Sequence, residues 1–277
     1  MGIERVFGRT RLEYVADNNP AVSRILAHHH PSVPNIGDIT AVKGDELPFV
    51  NVLAAGFPCQ PFSSLGHHRG LEDERYLFDE IVRLVEEMPA RPGLLIFENV
   101  AALRYGNEGK VFYRVLSSLS RIGYVGSYGV FRASDAGAPH QRERIFLTAV
   151  APDSPGLARR IQDARSYSLA ERGEAREILS QRIVRAGKGS FWGPYGNAVW
   201  RWEGITGFTA PFPLIPSGAG EPYTSPRFVE WLMGLPAGWV TGVPGLSWEE
   251  QIHALGNGVV PQQAALAISE LLPWNAL

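Results

Sequence analysis

Cysteine occurs once in the 277 residues, at position 59. It stands in Gly56-Phe57-Pro58-Cys59-Gln60-Pro61, a turn bounded by glycine and proline after the apolar run 49–55. A second apolar run, 93–97, is followed by Glu98-Asn99-Val100, and a third segment, 12–16, by Asp17-Asn18-Asn19. In open α/β sheets ligands bind at the carboxyl ends of the strands, so these polar groups are expected along one rim. A lone cysteine is commonly a small buried hydrophobe, and a lone glutamate after a strand is commonly a solvated loop residue. A thiol in a Gly/Pro-bounded turn, with a carboxyl on the same rim, suggests instead a nucleophile and an acid facing one pocket.

The elements that must position these groups follow from periodicity. The largely apolar stretch 49–55 and the continuous apolar run 93–97 read as buried strands, 124–131 reads as extended, and 144–150 and the short 12–16 read as further strands. Pro20 opens a helical stretch to about residue 27, as proline suits a first turn. Apolar residues at helical spacing predict further helices over 76–87, 110–122 and 262–272. Alternating strands and helices imply a mostly parallel sheet covered on both faces. The alternation breaks near residue 151. From there to about 223 the chain is rich in Arg, Gly, Ser and Pro, with an aromatic cluster of Phe191, Trp192, Tyr195, Trp200 and Trp202. A smaller second domain or a large insertion is expected there.

Composition narrows the class. At 45% hydrophobic and 19% charged, the chain is ordinary for a folded protein. No apolar run is long enough for a membrane span and no signal peptide is visible, so a soluble cytoplasmic protein is expected. A single cysteine excludes an internal disulfide and any multi-cysteine zinc site. His28-His29-His30 falls at a probable helix end, where a cationic imidazole suits the dipole better than it makes a metal site. The net charge of −2 neither favours nor excludes nucleic acid, and a basic excess as slight as that over 151–203 is usually a solvated face.

Five segments, taken in order, resemble one family. Gly-Phe-Pro-Cys-Gln-Pro-Phe-Ser at 56–63 is similar to the catalytic loop of the DNA (cytosine-5) methyltransferases. Glu98-Asn99-Val100 and Arg142-Glu143-Arg144 resemble that family's Glu-Asn-Val and Arg-x-Arg elements. Ser225-Pro226-Arg227 with Trp231-Leu232-Met233-Gly234-Leu235-Pro236 resembles the segment that closes its recognition domain. Leu255-Gly256-Asn257-Gly258-Val259-Val260-Pro261 is similar to its C-terminal cofactor-site element. The general look of the chain resembles bacteriophage and actinobacterial members.

The resemblance implies a Rossmann-like, S-adenosylmethionine-dependent sheet, mostly parallel with one antiparallel strand that Arg142-Glu143-Arg144 opens. A smaller target-recognition domain accompanies it. The implied division is 1–150 for the catalytic and cofactor domain, 151–248 for recognition and 249–277 for a segment returning to the catalytic domain. The implied reaction methylates C5 of a cytosine flipped out of double-stranded DNA. Cys59 would add to C6, and Glu98 would stabilise the protonated ring from its N3/N4 edge. Arg142 would hold the O2 side, and Arg144 would support the catalytic loop and base. A surface ion-pair role is the alternative for either arginine. Asp17 is the expected acceptor for the ribose hydroxyls, with Asn18 beside it, and Asp38 the acceptor for the adenine amino group. Ile39 and Pro58 would pack near the cofactor, and Asn257 and Val259 would line it from the C-terminal segment. For Asp17 and Asp38 the alternative is a turn or helix-cap role. No metal is implied. A monomer is expected, in a setting that includes a cognate restriction endonuclease or host defence.

The chain departs from the pattern twice. Family members begin with a strand and a loop of the type Asp-Leu-Phe-Ser-Gly-x-Gly-Gly, whereas residues 2–8 match the helix that follows that loop. The first strand and loop are therefore expected to be missing, with an exposed sheet edge and cofactor binding that is weak or absent as consequences. His140 also stands where the family usually has glutamine. Three other readings stay open: a cofactor-deficient DNA-binding remnant, an RNA cytosine-5 methyltransferase, and, remotely, a cysteine hydrolase using His67 or His68.

Overall fold

The computed structural model describes residues 1–58, 77–151, 191–216 and 220–272. Cys59 and the histidines at 67 and 68 lie outside the described residues, as does 152–190 of the stretch assigned to recognition. Strands β1 (Val52–Gly56), β2 (Leu94–Val100), β3 (Val125–Phe131) and β4 (Arg144–Val150) form a sheet in the order β1-β2-β4-β3. β1 runs parallel to β2, while β4 is antiparallel to both β2 and β3. The expected sheet, mostly parallel with one antiparallel strand, is therefore present.

Period-two alternation buries both faces of this sheet. Leu95, Phe97, Ile145, Leu147 and Ala149 pack under helices α3 (Leu77–Glu87) and α4 (Lys110–Arg121). Leu94, Ile96 and Val150 face the other way, against Val6 of helix α1 (Gly2–Phe7) and Ile268 of the C-terminal helix Pro261–Leu271. Leu94, Leu95, Ile96 and Phe97 are all buried, each worth about 1.5–3 kcal/mol relative to exposure. This clamping of β2 from both sides fixes what its carboxyl end presents.

Three boundaries differ from expectation. β2 does not stop at Phe97 but continues through Glu98-Asn99-Val100, because β4 pairs with it as far as Val100–Arg144. The acidic motif therefore sits on a rigid strand rather than in a loop. β1 begins only at Val52, and Phe49 is exposed. Residues 12–16 form no strand. Val15 makes a single parallel bridge with Asn35, and side chains supply the rest of the contact between these segments.

Helix α2 (Pro20–His29) starts as proline at the first turn predicts, with Asn19 Oδ1 accepting from the amides of Ala21 and Val22. Past residue 190 the described helices are α5 (Gly196–Thr206), α6 (Pro226–Leu232), α7 (Trp248–Asn257) and α8 (Pro261–Leu271). Ser247 and Glu250 cap α7 reciprocally. The buried Glu230 carboxylate accepts from the amides of Gly238, Val240 and Thr241 and from the Thr241 hydroxyl, which is how a buried charge is tolerated. That knot presents Trp239 to His29, whose ring stacks on it at 3.7 Å. The end of α2 is thereby tied to the C-terminal half.

Candidate active site

The site grows from the β2–β4 ladder. Residues 94, 96 and 98 of β2 share one face, as do 144, 146 and 148 of β4, and the register pairs Glu98 with Phe146 and Val100 with Arg144. Glu98 and Arg144 are thus diagonal neighbours on one face, within reach of long side chains. Arg144 Nε lies 3.0 Å from Glu98 Oε1, and the two side chains are only 19% and 15% exposed. Burial pushes the Glu98 carboxyl above its ordinary range, against the opposing pull of the Arg144 and Arg142 charges. A carboxyl so placed holds a proton more readily than a solvated one, as a hydrogen-bond-donating acid must.

Arg142 is held differently. Its Nη2 donates to the carbonyls of Gly256 at 2.7 Å and Gly258 at 2.6 Å. Its backbone takes a φ of 39°, in the left-handed region, at a cost of about 1–2 kcal/mol for a residue with a Cβ. Burial and the neighbouring Arg144 lower its pKa to about 10. Its Nε is buried without a hydrogen-bond partner among the described residues. Of the two arginines, Arg144 contacts Glu98 directly, while Arg142 acts on it only through its charge and reaches the segment that carries Asn257 and Val259. Burial lowers the His140 pKa, and its Nε2 lies 2.9 Å from the Leu232 carbonyl, tying the approach to β4 to α6.

Gly56 and Asn99 set the start of the loop that leads to Cys59. Gly56 pairs with Glu98 across the parallel ladder, and a Cβ there would sit 3.3 Å from Glu98 Oε2. Asn99 points to the opposite face from Glu98. Its buried Nδ2 donates to the Phe57 carbonyl at 2.8 Å. Pro58, the last described residue before Cys59, is exposed. Asn99 appears in the sequence only as the middle of a motif, with no role assigned. A polar residue in the last turns of an otherwise buried strand was the available signal.

Four of the residues assigned to the cofactor, Asp17, Asn18, Asp38 and Ile39, lie on two turns that form a second cluster. Asn35 uses both ends of its amide. Oδ1 accepts from the amides of Asp17 and Gly37, and Nδ2 donates to the Asp17 carbonyl and the Ser23 hydroxyl. One side chain thereby joins the turn of Asp17 and Asn18 to the turn of Asp38 and Ile39. Asp17 Oδ1 accepts from the Asn19 amide at 2.8 Å. Asp38 Oδ1 accepts from the Thr40 amide and hydroxyl, and these bonds with one from Asn18 lower its pKa. Both aspartates are therefore turn caps, yet each carboxylate has lone pairs beyond those bonds. Ile39 is partly buried against the α3 side of the core. Two carboxylate acceptors beside an apolar residue suit the hydroxyls and amino group of an adenosine. Asn257 ends α7, exposed, with Nδ2 3.1 Å from His253 Nε2, and Val259 packs partly against Phe146. Asn35 was missed in the sequence, where a lone asparagine before a Gly-Asp turn carries little signal.

Residues 1–192 match the family model for C-5 cytosine-specific DNA methylase. The chain belongs to that family. Similar characterised proteins include the type II methyltransferase M.DsaV of Dactylococcopsis salina, 38% identical over 112 residues, covering 40% of this chain and 31% of that protein. M.NlaX of Neisseria lactamica is 32% identical over 148 residues, covering 53% of this chain and 47% of its own. The chain spans less than half the length of these relatives. Among solved structures, the Dnmt2 methyltransferase of S. pombe superposes with a TM-score of 0.62 at 15% identity, covering 99% of this chain and 96% of that one. The EhMeth methyltransferase of Entamoeba histolytica gives 0.61 at 16% identity, covering 97% and 93%. These likenesses place the methylase sheet described above among methyltransferase folds. Among the described residues no helix is long and apolar enough to cross a membrane.

Proposed function

We propose that this methylase transfers a methyl group from S-adenosylmethionine to C5 of a cytosine flipped out of double-stranded DNA. The observation that carries the reading is the buried Glu98 carboxyl, with its raised pKa, held by Arg144 at the strand end beside the exit toward Cys59. Bound S-adenosylmethionine supplies an electrophilic methyl on a sulfonium. The chain supplies the rest. Cys59 adds as thiolate to C6 while the protonated Glu98 donates to N3, so that the ring becomes an enamine nucleophilic at C5. Once C5 carries the methyl, loss of the C5 proton to solvent water and expulsion of the Cys59 thiolate restore the aromatic ring, and N3 returns its proton to Glu98. Arg144 keeps Glu98 aimed at the base edge.

Asp17 and Asp38 accept from the ribose and adenine, with Asn18, Ile39 and Pro58 around them and Asn257 and Val259 opposite. Residues 151–248 serve recognition. The exposed Phe191, Tyr195, Phe212 and Tyr223 in that stretch are the kind of surface that contacts another macromolecule. The segment 249–277 returns to the catalytic sheet. The type II names of the relatives favour a restriction–modification setting.

The test is methyl transfer from labelled S-adenosylmethionine to duplex DNA, with transfer RNA as the parallel substrate and bisulfite mapping of the product. We expect 5-methylcytosine in DNA, and its abolition in a folded Cys59→Ser variant. Label in transfer RNA alone, or full activity in the serine variant, would sink the reading.

A further inference from the structure

Helix α8 buries three polar side chains, Gln262, Gln263 and Ser269, and of these only Gln263 has no exposed surface. Its Nε2 donates to the carbonyl of Phe131 at 2.8 Å and to that of Arg142 at 2.9 Å. Phe131 ends β3 and Arg142 stands just before β4, so one carboxamide closes the connection between the two strands. Its Oε1 is buried without a hydrogen-bond partner among the described residues. An orphaned buried acceptor is unfavourable, and the two donated bonds are what Gln263 provides here that a hydrophobe of equal length would not.

Those bonds fix the Arg142 backbone in its left-handed conformation. From that backbone the guanidinium reaches the carbonyls of Gly256 and Gly258, which flank Asn257 and precede Val259. Arg144 depends less on this tie, although Phe131, whose carbonyl Gln263 also holds, is one of its two ladder partners. It is locked by ladder pairing to Val100 on one side and Phe131 on the other. Loss of Gln263 therefore propagates through Arg142 to residues 256–259 and largely spares the contact between Arg144 and Glu98.

We propose that Gln263 is a positioning residue that sets the cofactor-facing segment 256–259 through Arg142. The proposal rests on the function proposed above, because it takes that segment to be one wall of the S-adenosylmethionine site. Gln263→Met keeps the volume and removes both donors. In methyl transfer to duplex DNA, assayed well below each variant's melting temperature, KM for S-adenosylmethionine should rise about tenfold while kcat stays within about threefold. KM for DNA should stay unchanged. Arg142→Met should raise KM for the cofactor similarly, and the double variant should rise no further than Arg142→Met alone, since both act on one tie. A merely structural role would make the two effects multiply.

Gln263→Ala, which leaves room for water at both carbonyls, serves if Gln263→Met does not fold. Calorimetric titration with S-adenosylmethionine reads the same tie without turnover. A wild-type chain that binds the cofactor but methylates neither nucleic acid defeats the functional reading and leaves Gln263 to be judged on binding. An unchanged affinity in a cooperatively melting Gln263 variant, multiplying effects in the double variant, or no wild-type binding at all overturns the proposal.

Discussion

Arg144 Nε meets Glu98 Oε1 at 3.0 Å across a diagonal of the β2–β4 ladder, with both side chains largely buried. Strand register alone puts them there, so the pair exists before any substrate arrives. Burial raises the Glu98 pKa, and the arginine charges oppose that rise without cancelling it. A raised carboxyl pKa means that the folded protein binds more protons than the unfolded chain above the ordinary value of 4.5. Stability therefore falls as pH rises from that value through the folded pKa, and the acid form needed for donation is lost over the same interval.

Arg144→Met should separate the two effects. Removing the cation leaves the Glu98 carboxyl buried with its direct partner gone, which raises its pKa further. The loss in stability should be about 1–3 kcal/mol, read by denaturant unfolding near neutral pH and shrinking as pH is lowered. The alkaline limb of the rate profile assigned to Glu98 should move to higher pH while the plateau rate falls. An alkaline limb that moves to lower pH would mean that another group sets it.

Asn99 makes a prediction about the nucleophile's approach. Its amide holds the Phe57 carbonyl, two residues before Cys59. Asn99→Ala leaves that carbonyl without its side-chain donor in a buried setting and should cost about 1–3 kcal/mol. Because the start of the loop shifts, turnover should fall about 10–100-fold with little change in cofactor affinity. Thermal melts and single-turnover methyl transfer would check both. Equal losses in affinity and rate would place the effect elsewhere.

The sheet was legible because its signals are redundant. Residues 94–97 are a continuous apolar run and 145–150 are apolar except for Thr148, and such runs read as buried strands whatever their partners. The end of β2 was not legible, because Glu98 and Asn99 are poor strand residues by composition and only pairing with β4 makes them strand. Residues 12–16 failed in the opposite direction. They look like a strand, but among the described residues a single bridge between Val15 and Asn35 is all the pairing they find. Motifs identified Glu98, Arg142 and Arg144 as a group, but which arginine meets the carboxyl depends on register and on the left-handed turn at Arg142. Asn35 and Gln263 act through backbone carbonyls and amides that no side-chain pattern encodes.

Gly56 faces Glu98 from the parallel side, and an added Cβ would lie 3.3 Å from Glu98 Oε2. That contact is tight rather than impossible, so Gly56→Ala should fold, with the carboxyl displaced by a few tenths of an ångström. The expected result is a melting temperature near that of the wild type and a rate about tenfold lower. Gly56→Val should lose the fold or nearly all of the rate. An alanine variant as fast as the wild type would show that Glu98 tolerates displacement at this edge.

Asn35 is solvent-exposed, so its four hydrogen bonds contribute less to stability than to arrangement. Asn35→Ala should cost no more than about 1 kcal/mol, because water replaces most of what is lost. It should nevertheless release the Asp17 turn from the Asp38 turn, leaving two carboxylates whose spacing is no longer set. If these carboxylates hold the adenosine part of S-adenosylmethionine, the dissociation constant for the cofactor should rise about tenfold, while kcat at saturation is preserved. Asn35→Asp can accept from the amides of Asp17 and Gly37 but cannot donate to the Asp17 carbonyl, so it should fall between the two. Calorimetric titration of the three proteins orders them directly. Equal affinities across the series would show that the cofactor does not read the distance between Asp17 and Asp38.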